Sequence, residues 1–206
     1  DGSTRPGSEP NFPYNIPQIT LLSFFGRMTY TYNDKYILTS TFRRDASSKF
    51  SPDNRWGNFP SFAAAWKVSE ENFLKNAKAL SDLKFRVGYG IVGQQEGIFE
   101  YGYLPVYSVS NNNALYQLGN NFYNMLRPGA YDANLKWEEQ KQINVGVDFG
   151  FLKNRISGTV DYFNRESYDL LATVPIPAGS NFSNQLLTNV GSIVSKGVEF
   201  TLNTVP

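Results

Sequence analysis

Residues 143 to 162 alternate. Ile143, Val145, Val147, Phe149 and Phe151 are interleaved with Asn144, Gly146, Asp148 and Gly150. After Leu152-Lys153-Asn154, Ile156, Gly158, Val160 and Tyr162 stand against Arg155, Ser157, Thr159 and Asp161. A period of two places the apolar side chains of an extended strand on one face and the polar ones on the other. The segment therefore reads as a β-hairpin with one apolar and one polar side. Its apolar side has two possible destinations, a protein core or lipid. Periodicity is the same for both, because a soluble antiparallel sheet with one packed and one solvated face alternates identically.

The pattern recurs along the chain. Leu22, Phe24, Gly26, Met28, Tyr30 and Tyr32 share one face, and Asn33-Asp34 supplies turn residues that tolerate positive φ. Tyr36, Leu38, Ser40 and Phe42 then oppose Ile37, Thr39, Thr41 and Arg43. A third strand over 59–68 puts Phe62, Ala64 and Trp66 together, although Ala63-Ala64-Ala65 is weak strand sequence. The run from Ser69 to Leu74 predicts a short helical turn with Ser69 as its cap and Glu70 and Glu71 serving its N-terminus. Leu83, Phe85, Val87, Tyr89 and Ile91 form a fourth strand, and Val198, Phe200 and Leu202 belong to the last. The first twenty residues and the stretches 44–58, 93–136 and 172–186 read as loop from their Pro, Gly, Ser, Asn and Tyr content. The expected fold is all-β, an antiparallel up-and-down meander of about seven strands.

Composition removes most chemistry. The chain has 0 His and 0 Cys, so the commonest general base, the commonest metal ligand and every thiolate are absent. A formal charge of +1 offers no overall field of one sign to attract nucleic acid or anionic lipid. No apolar run approaches the roughly 18 residues of a membrane-spanning helix, but a spanning β-strand needs only about 9–11 residues, half of them apolar. The glycines of Gly88-Tyr89-Gly90-Ile91-Val92-Gly93 lack the following helix and downstream acid of a dinucleotide site and read as a strand running into a loop. Adjacent acids such as Glu138-Glu139 point to opposite faces of a strand, and Asp45 and Asp53 lack calcium-loop spacing. No catalytic, cofactor or metal residue is expected, and the chain is not expected to be an enzyme.

Two regularities favour lipid. Compact connections (Asn33-Asp34, 69–82, Leu152-Lys153-Asn154) alternate with long ones, and in a meander alternate connections lie at the same end. Short turns on one rim and long loops on the other characterise outer-membrane barrels. Aromatic residues also collect beside the compact turns: Tyr30, Tyr32 and Tyr36, then Trp66, then Phe149 and Phe151. The apolar faces carry no formal charge in their central portions, whereas Arg27, Arg43, Lys84, Arg86, Asp148, Arg155 and Asp161 lie on the opposite faces. Lys196 is the exception; counted back from Val198 it falls on the apolar side, so either it snorkels or Gly197 marks a bulge.

Several segments resemble the barrel of SusC/RagA-like TonB-dependent transporters of Bacteroidota outer membranes. They include 30–36 running into Phe42-Arg43-Arg44-Asp45-Ala46-Ser47-Ser48-Lys49-Phe50, then Trp56-Gly57-Asn58-Phe59-Pro60-Ser61 and Ala65-Trp66-Lys67-Val68-Ser69-Glu70-Glu71. Further on come Asn134-Leu135-Lys136-Trp137-Glu138, Asp161-Tyr162-Phe163-Asn164-Arg165, Asp169-Leu170-Leu171 and Lys196-Gly197-Val198-Glu199. The resemblance implies a barrel of about 22 strands with an N-terminal plug. It also implies a SusD-like surface lipoprotein and TonB as partners, and oligosaccharides or peptides as cargo. Residues 1–206 then read as a partial barrel domain, an internal fragment without signal peptide, plug or the C-terminal strands. About seven strands cannot close a barrel and would form an open sheet in isolation, with Ile143 and Val145 exposed on its convex side. Outer-membrane lipid surrounds the expected product.

Flat rings flanked by amides and glycines suit stacking and hydrogen bonding to sugars or peptides, which makes Tyr101, Tyr103, Tyr107 and Tyr116 the candidate ligand contacts. The competing reading of these tyrosines is that they pack an outer loop against its neighbours. The competing reading of the whole chain is a soluble all-β carbohydrate-binding or adhesin-like module.

Overall fold

The computed structural model describes residues 18–74, 77, 79–109 and 115–205. Residues 1–17 of the loop read over the first twenty residues, and the Asn111-Asn112-Asn113 run, lie outside them. Seven long strands form one antiparallel sheet in the order β1-β2-β3-β4-β9-β10-β13. These are β1 (Leu21–Tyr32), β2 (Tyr36–Ser47), β3 (Trp56–Lys67), β4 (Leu80–Gln94), β9 (Glu138–Phe151), β10 (Ile156–Tyr168) and β13 (Ser192–Thr204). The six short strands between them are β5 (Tyr107–Val109), β6 (Leu115–Leu118), β7 (Asn121–Asn124), β8 (Leu126–Pro128), β11 (Leu171–Pro175) and β12 (Gln185–Asn189). They pair as β5-β8, β6-β7 and β11-β12.

The open meander matches the expected fold, with four corrections. First, β2 and β3 extend into both ends of the stretch read as loop at 44–58, because Arg44↔Asn58 and Ala46↔Trp56 continue the ladder and leave 48–55 as the connection. Second, no helix is capped by Ser69. Val68–Glu70 is a single 3-10 turn without a side-chain cap, and Ser69 Oγ donates to Asp82 Oδ1 at 3.3 Å. Third, the long stretches at 93–136 and 172–186 carry hairpins of their own. Fourth, there is no bulge at Gly197: β13 pairs with β10 in unbroken register, so Lys196, opposite Asn164, stays on the apolar side.

The compact turns depend on left-handed backbone. Asn33 and Asp34 have φ of 50° and 56°, a mirror-image turn that suits the twist of the strands it joins. Leu152, Lys153 and Asn154 have φ of 52°, 58° and 61°, unusual for leucine and lysine. Neighbouring groups hold them there: Leu152 N donates to Ala79 O at 2.9 Å, and Asn154 N to Ser81 Oγ at 3.1 Å.

Tilt follows from register alone. The row Tyr32, Tyr36, Trp66, Phe85, Val147, Val160 runs across the sheet in register. The first turn closes just past that row, but the β9–β10 turn closes past Phe151↔Ile156, two same-face rows lower and four strands along. With strands about 4.8 Å apart and rows about 6.8 Å apart, a level rim requires a tilt of about 35°, the range of barrel strands.

Candidate functional site

The sheet has two chemically distinct faces. On one lie Met28, Leu38, Phe62, Val87, Ile143, Val145, Tyr162, Val198 and Phe200, all exposed, with Ile143 and Val145 at 44% and 45%. In the described residues no second layer covers them. A depression of about 370 Å³ on this face, lined by Met28, Leu38, Phe62, Ala64, Val87 and Tyr89, is almost wholly apolar. The weak-strand alanines thus sit in register, with Ala64 opposite Leu38 and Val87, and leave a shallow place between larger side chains.

An aromatic girdle borders this face at the compact turns. Tyr32 meets Tyr36 at 6.3 Å, Tyr36 stacks on Trp66 at 6.2 Å and Trp66 lies 6.3 Å from Phe85. Phe149 continues the line to Phe151 at 5.9 Å and Phe200 at 6.5 Å. Such rings settle at the boundary between hydrocarbon and headgroups.

Glu71 ties the girdle together. Its carboxylate accepts from Tyr36 Oη at 2.6 Å, Lys35 Nζ at 3.0 Å and Trp66 Nε1 at 3.1 Å. This corrects the assignment of Glu71 to a helix N-terminus; the acid joins two neighbouring compact connections. The hydroxyl of Tyr36 first, then Lys35 and Trp66, lowers the Glu71 pKa from its ordinary 4.5 to about 2. A depressed carboxylate pKa adds stability that is complete above the unfolded value and lost as pH falls through the folded one. The stability gap between the native protein and Glu71→Gln should therefore be constant above pH 4.5 and shrink between 4.5 and about 2. A gap unchanged at pH 2 would count against the clamp.

The opposite face is polar. Arg86 on β4 donates to Asp148 on β9 through Nε at 2.9 Å and Nη2 at 2.7 Å, and Lys84 Nζ reaches the same carboxylate at 2.7 Å. Arg86 Nη2 also reaches Asp161 Oδ1 on β10 at 2.8 Å, spanning the intervening strand. The span is possible because Gly146 stands between them in register, opposite both Arg86 and Asp161. A Cβ there would lie 2.2 Å from Asp161 Oδ1 and 2.8 Å from Arg86 Nη2. Both atoms end flexible side chains, so Gly146→Ala should displace Asp161 at a cost of about 0.5–1 kcal/mol, the range of a partly exposed ion pair. Urea unfolding should show the Gly146→Ala/Asp161→Asn double variant no less stable than the weaker single one. Full additivity would mean that glycine does not serve this bridge. Beside the network, Thr39, Ser61, Ala63, Val92, Gln142 and Asn144 line a shallow groove of about 260 Å³ of mixed polarity.

At the long-loop end lies the buried core, Phe50, Phe59, Ile98, Leu135 and Trp137. Phe50 and Trp137 are 5.0 Å apart, Phe59 meets Trp137 edge-on at 5.5 Å, and Trp137 Nε1 donates to Arg55 O at 3.0 Å. Gly57 and Gly93 leave room for the Phe59 ring, whose Cζ would stand 2.4 Å and 2.1 Å from a Cβ at either position. Asp45, which the sequence placed in a polar loop, ends up buried in β2 with both carboxylate oxygens on Arg43 Nε, at 2.8 and 2.7 Å.

Two long loops are stitched together above this core. Asn189 accepts from Lys136 N at 2.9 Å and donates to Lys136 O at 2.9 Å, and Lys136 pairs with Asp169 at 2.7 Å. Thr188 Oγ1 donates to Asp132 at 2.5 Å, and Asn181 Nδ2 donates to Tyr131 O at 3.0 Å. Tyr131 stacks on Phe182 at 6.3 Å.

The four candidate tyrosines are distributed over this loop region. Tyr101 is exposed in a turn with φ of 57°, Tyr103 is half-buried, Tyr107 lies on β5 opposite Pro128, and Tyr116 lies on β6 opposite Tyr123. The last pairing places two exposed rings side by side and adds Tyr123 to the set. Among the described residues no group of three or more His, Cys, Asp or Glu side chains could hold a metal ion.

Residues 1–204 match the family model for the TonB dependent receptor-like β-barrel. TonB-dependent receptor SusC of Bacteroides thetaiotaomicron is 50% identical over 187 residues, covering 91% of this chain and 19% of SusC. TonB-dependent receptor P26 of Formosa agariphila is 39% identical, covering 89% of this chain and 18% of that protein. The chain thus spans about a fifth of the length of the curated relatives it matches. Among solved structures, the RagAB peptide transporter superposes with a TM-score of 0.76 at 31% identity, covering 89% of this chain and 20% of that one. The siderophore receptor PirA of Pseudomonas aeruginosa, at 16% identity and a TM-score of 0.57, shares the fold.

Proposed function

The chain belongs to the TonB-dependent receptor β-barrel family, and from that premise we propose that residues 1–206 form part of the barrel domain of an outer-membrane importer of oligosaccharides or peptides. In this reading the seven long strands are barrel wall and the long loops face outward. The relatives are receptors and transporters rather than enzymes. The observation that carries the reading is the asymmetry of the sheet: an exposed apolar face bordered by an aromatic girdle, backed by a polar face with its ion network. A soluble carbohydrate-binding or adhesin-like module would need a layer over that apolar face. Barrel geometry needs none, because lipid covers it.

The partners are a SusD-like surface lipoprotein and TonB, the latter through parts of the transporter outside this chain. The RagAB peptide transporter, at 31% identity, supports a peptide cargo, and the SusC-like resemblance implies an oligosaccharide one. Tyr101, Tyr103, Tyr107 and Tyr116 are the ligand contacts of the outward loops; the rings of Tyr101, Tyr107 and Tyr116 are exposed to solvent.

Fractionation of the full-length product tests the location: it should appear in the outer membrane with heat-modifiable gel mobility, and a soluble product would refute the reading. Uptake of labelled glycans and peptides by cells with and without the gene then identifies the cargo class. Alanine at Tyr107 and Tyr116 should weaken uptake at limiting cargo, and unchanged uptake would return these tyrosines to a packing role.

A further inference from the structure

The cations on the lipid-facing side are confined to one level. By register, the apolar faces of the seven strands bear five charged residues: Arg44, Glu139, Lys141, Glu166 and Lys196. All five lie in the half nearer the long loops. Arg44 is eight residues along β2 from Tyr36, Lys141 ten along β9 from Phe151, and Lys196 eight along β13 from Thr204. At about 3.4 Å per residue and the tilt of about 35°, eight to ten residues climb about 22–28 Å, close to the height of a barrel's apolar band. The three cations therefore line up on different strands at the outer edge of that band. Of the two acids, Glu139 is a full row beyond Lys141, whereas Glu166, ten residues along β10 from Ile156, stands at the level of Lys141 and directly opposite it. Glu139 is engaged by the Tyr168 hydroxyl.

The cations remain open to a second partner, although Lys141 stands opposite Glu166 in register. Arg44 lies 4.7 Å from the centre of the Trp56 ring, itself stacked on Phe24, and Lys141 lies 4.4 Å from that of Tyr168. Lys196 is exposed. None of the three belongs to an ion pair among the described residues. An aromatic platform holds a cation while leaving donors free for a second partner. On the band side of this level lies the apolar depression around Ala64.

We infer that Arg44, Lys141 and Lys196 bind the phosphate groups of outer-leaflet lipids, with acyl chains lying over the apolar face below them. Positive side chains, the height of one apolar band above the compact rim and hydrocarbon-facing surface beneath together fit a phosphorylated amphiphile; a neutral glycan or a protein would not need this placement. The inference rests on the reading of the apolar face as lipid-facing.

The test is native mass spectrometry of the full-length transporter extracted from outer membranes in mild detergent, comparing wild type with R44Q/K141Q/K196Q and with K153Q at the compact rim as control. Retained phosphorylated lipid should fall at least threefold in the triple variant and stay at the wild-type level in K153Q, with heat-modifiable mobility intact in both. Equal retention in the triple variant, or an equal loss in K153Q, would overturn the inference. If retention is equal but Val145→Arg still destabilises the barrel, the cation assignment alone fails. If Val145→Arg is also harmless, the lipid-facing reading fails with it.

Discussion

Val145→Arg in the full-length transporter is expected to destabilise the folded barrel by about 2–4 kcal/mol, the cost of a cation near the middle of the hydrocarbon. Asn144→Arg, one residue away, should cost within about 0.5 kcal/mol. The contrast follows from parity. Val145 pairs with Val87 and Tyr162 on the apolar face, whereas Asn144 stands beside Gly88 and Phe163 on the other, where its side-chain oxygen accepts from Gln142 at 3.0 Å. Urea unfolding from lipid vesicles measures both. Equal costs at the two positions would mean that the faces do not meet different solvents.

Phe50→Ala should cost about 3–5 kcal/mol of stability in the long-loop region, the range for emptying an aromatic site in a packed core. Phe50 is fully buried, as is Leu135, and both pack with Trp137 in a cluster made from three separate connections. Losing the ring should expose the loops to protease, while the strands keep their heat-modifiable mobility because, of the buried cluster, only Phe59 lies in a ladder of the main sheet. Loops as resistant as in the native protein would show that the stitches from Asn189, Asp132 and Asp169 organise them without the aromatic core.

The strands of the main sheet were legible because their signal is local. From Ile143 to Tyr162 each side chain's face follows from its immediate neighbours. The helical turn at Ser69 failed for a related reason: the acids resemble a helix start, but Glu71 finds better partners in Lys35, Tyr36 and Trp66 across the neighbouring turn. The loop-side core was missed even though its members lay in plain view. Phe50, Leu135 and Trp137 are isolated apolar residues within polar stretches, and only their mutual contact makes them a core. The one signal for them was the family resemblance, whose matching segments include Phe50, Phe59, Leu135 and Trp137. Lys196 shows the reverse case, where strict counting was right and the suspected bulge is absent.

By itself the sequence determined the all-β class, the number of long strands, the residues on each face and the absence of a charge from the middle of the apolar side. Period-two patterning encodes these within a few residues, so no distant contact is required to state them. Tertiary structure alone decided which residues meet. Arg86 crosses Gly146 to Asp161, 75 positions away, and Trp137 donates to Arg55, 82 positions away. Such pairs depend on the register of several strands at once, and a slip of one residue would turn every side chain of a strand to the other face without altering its local pattern.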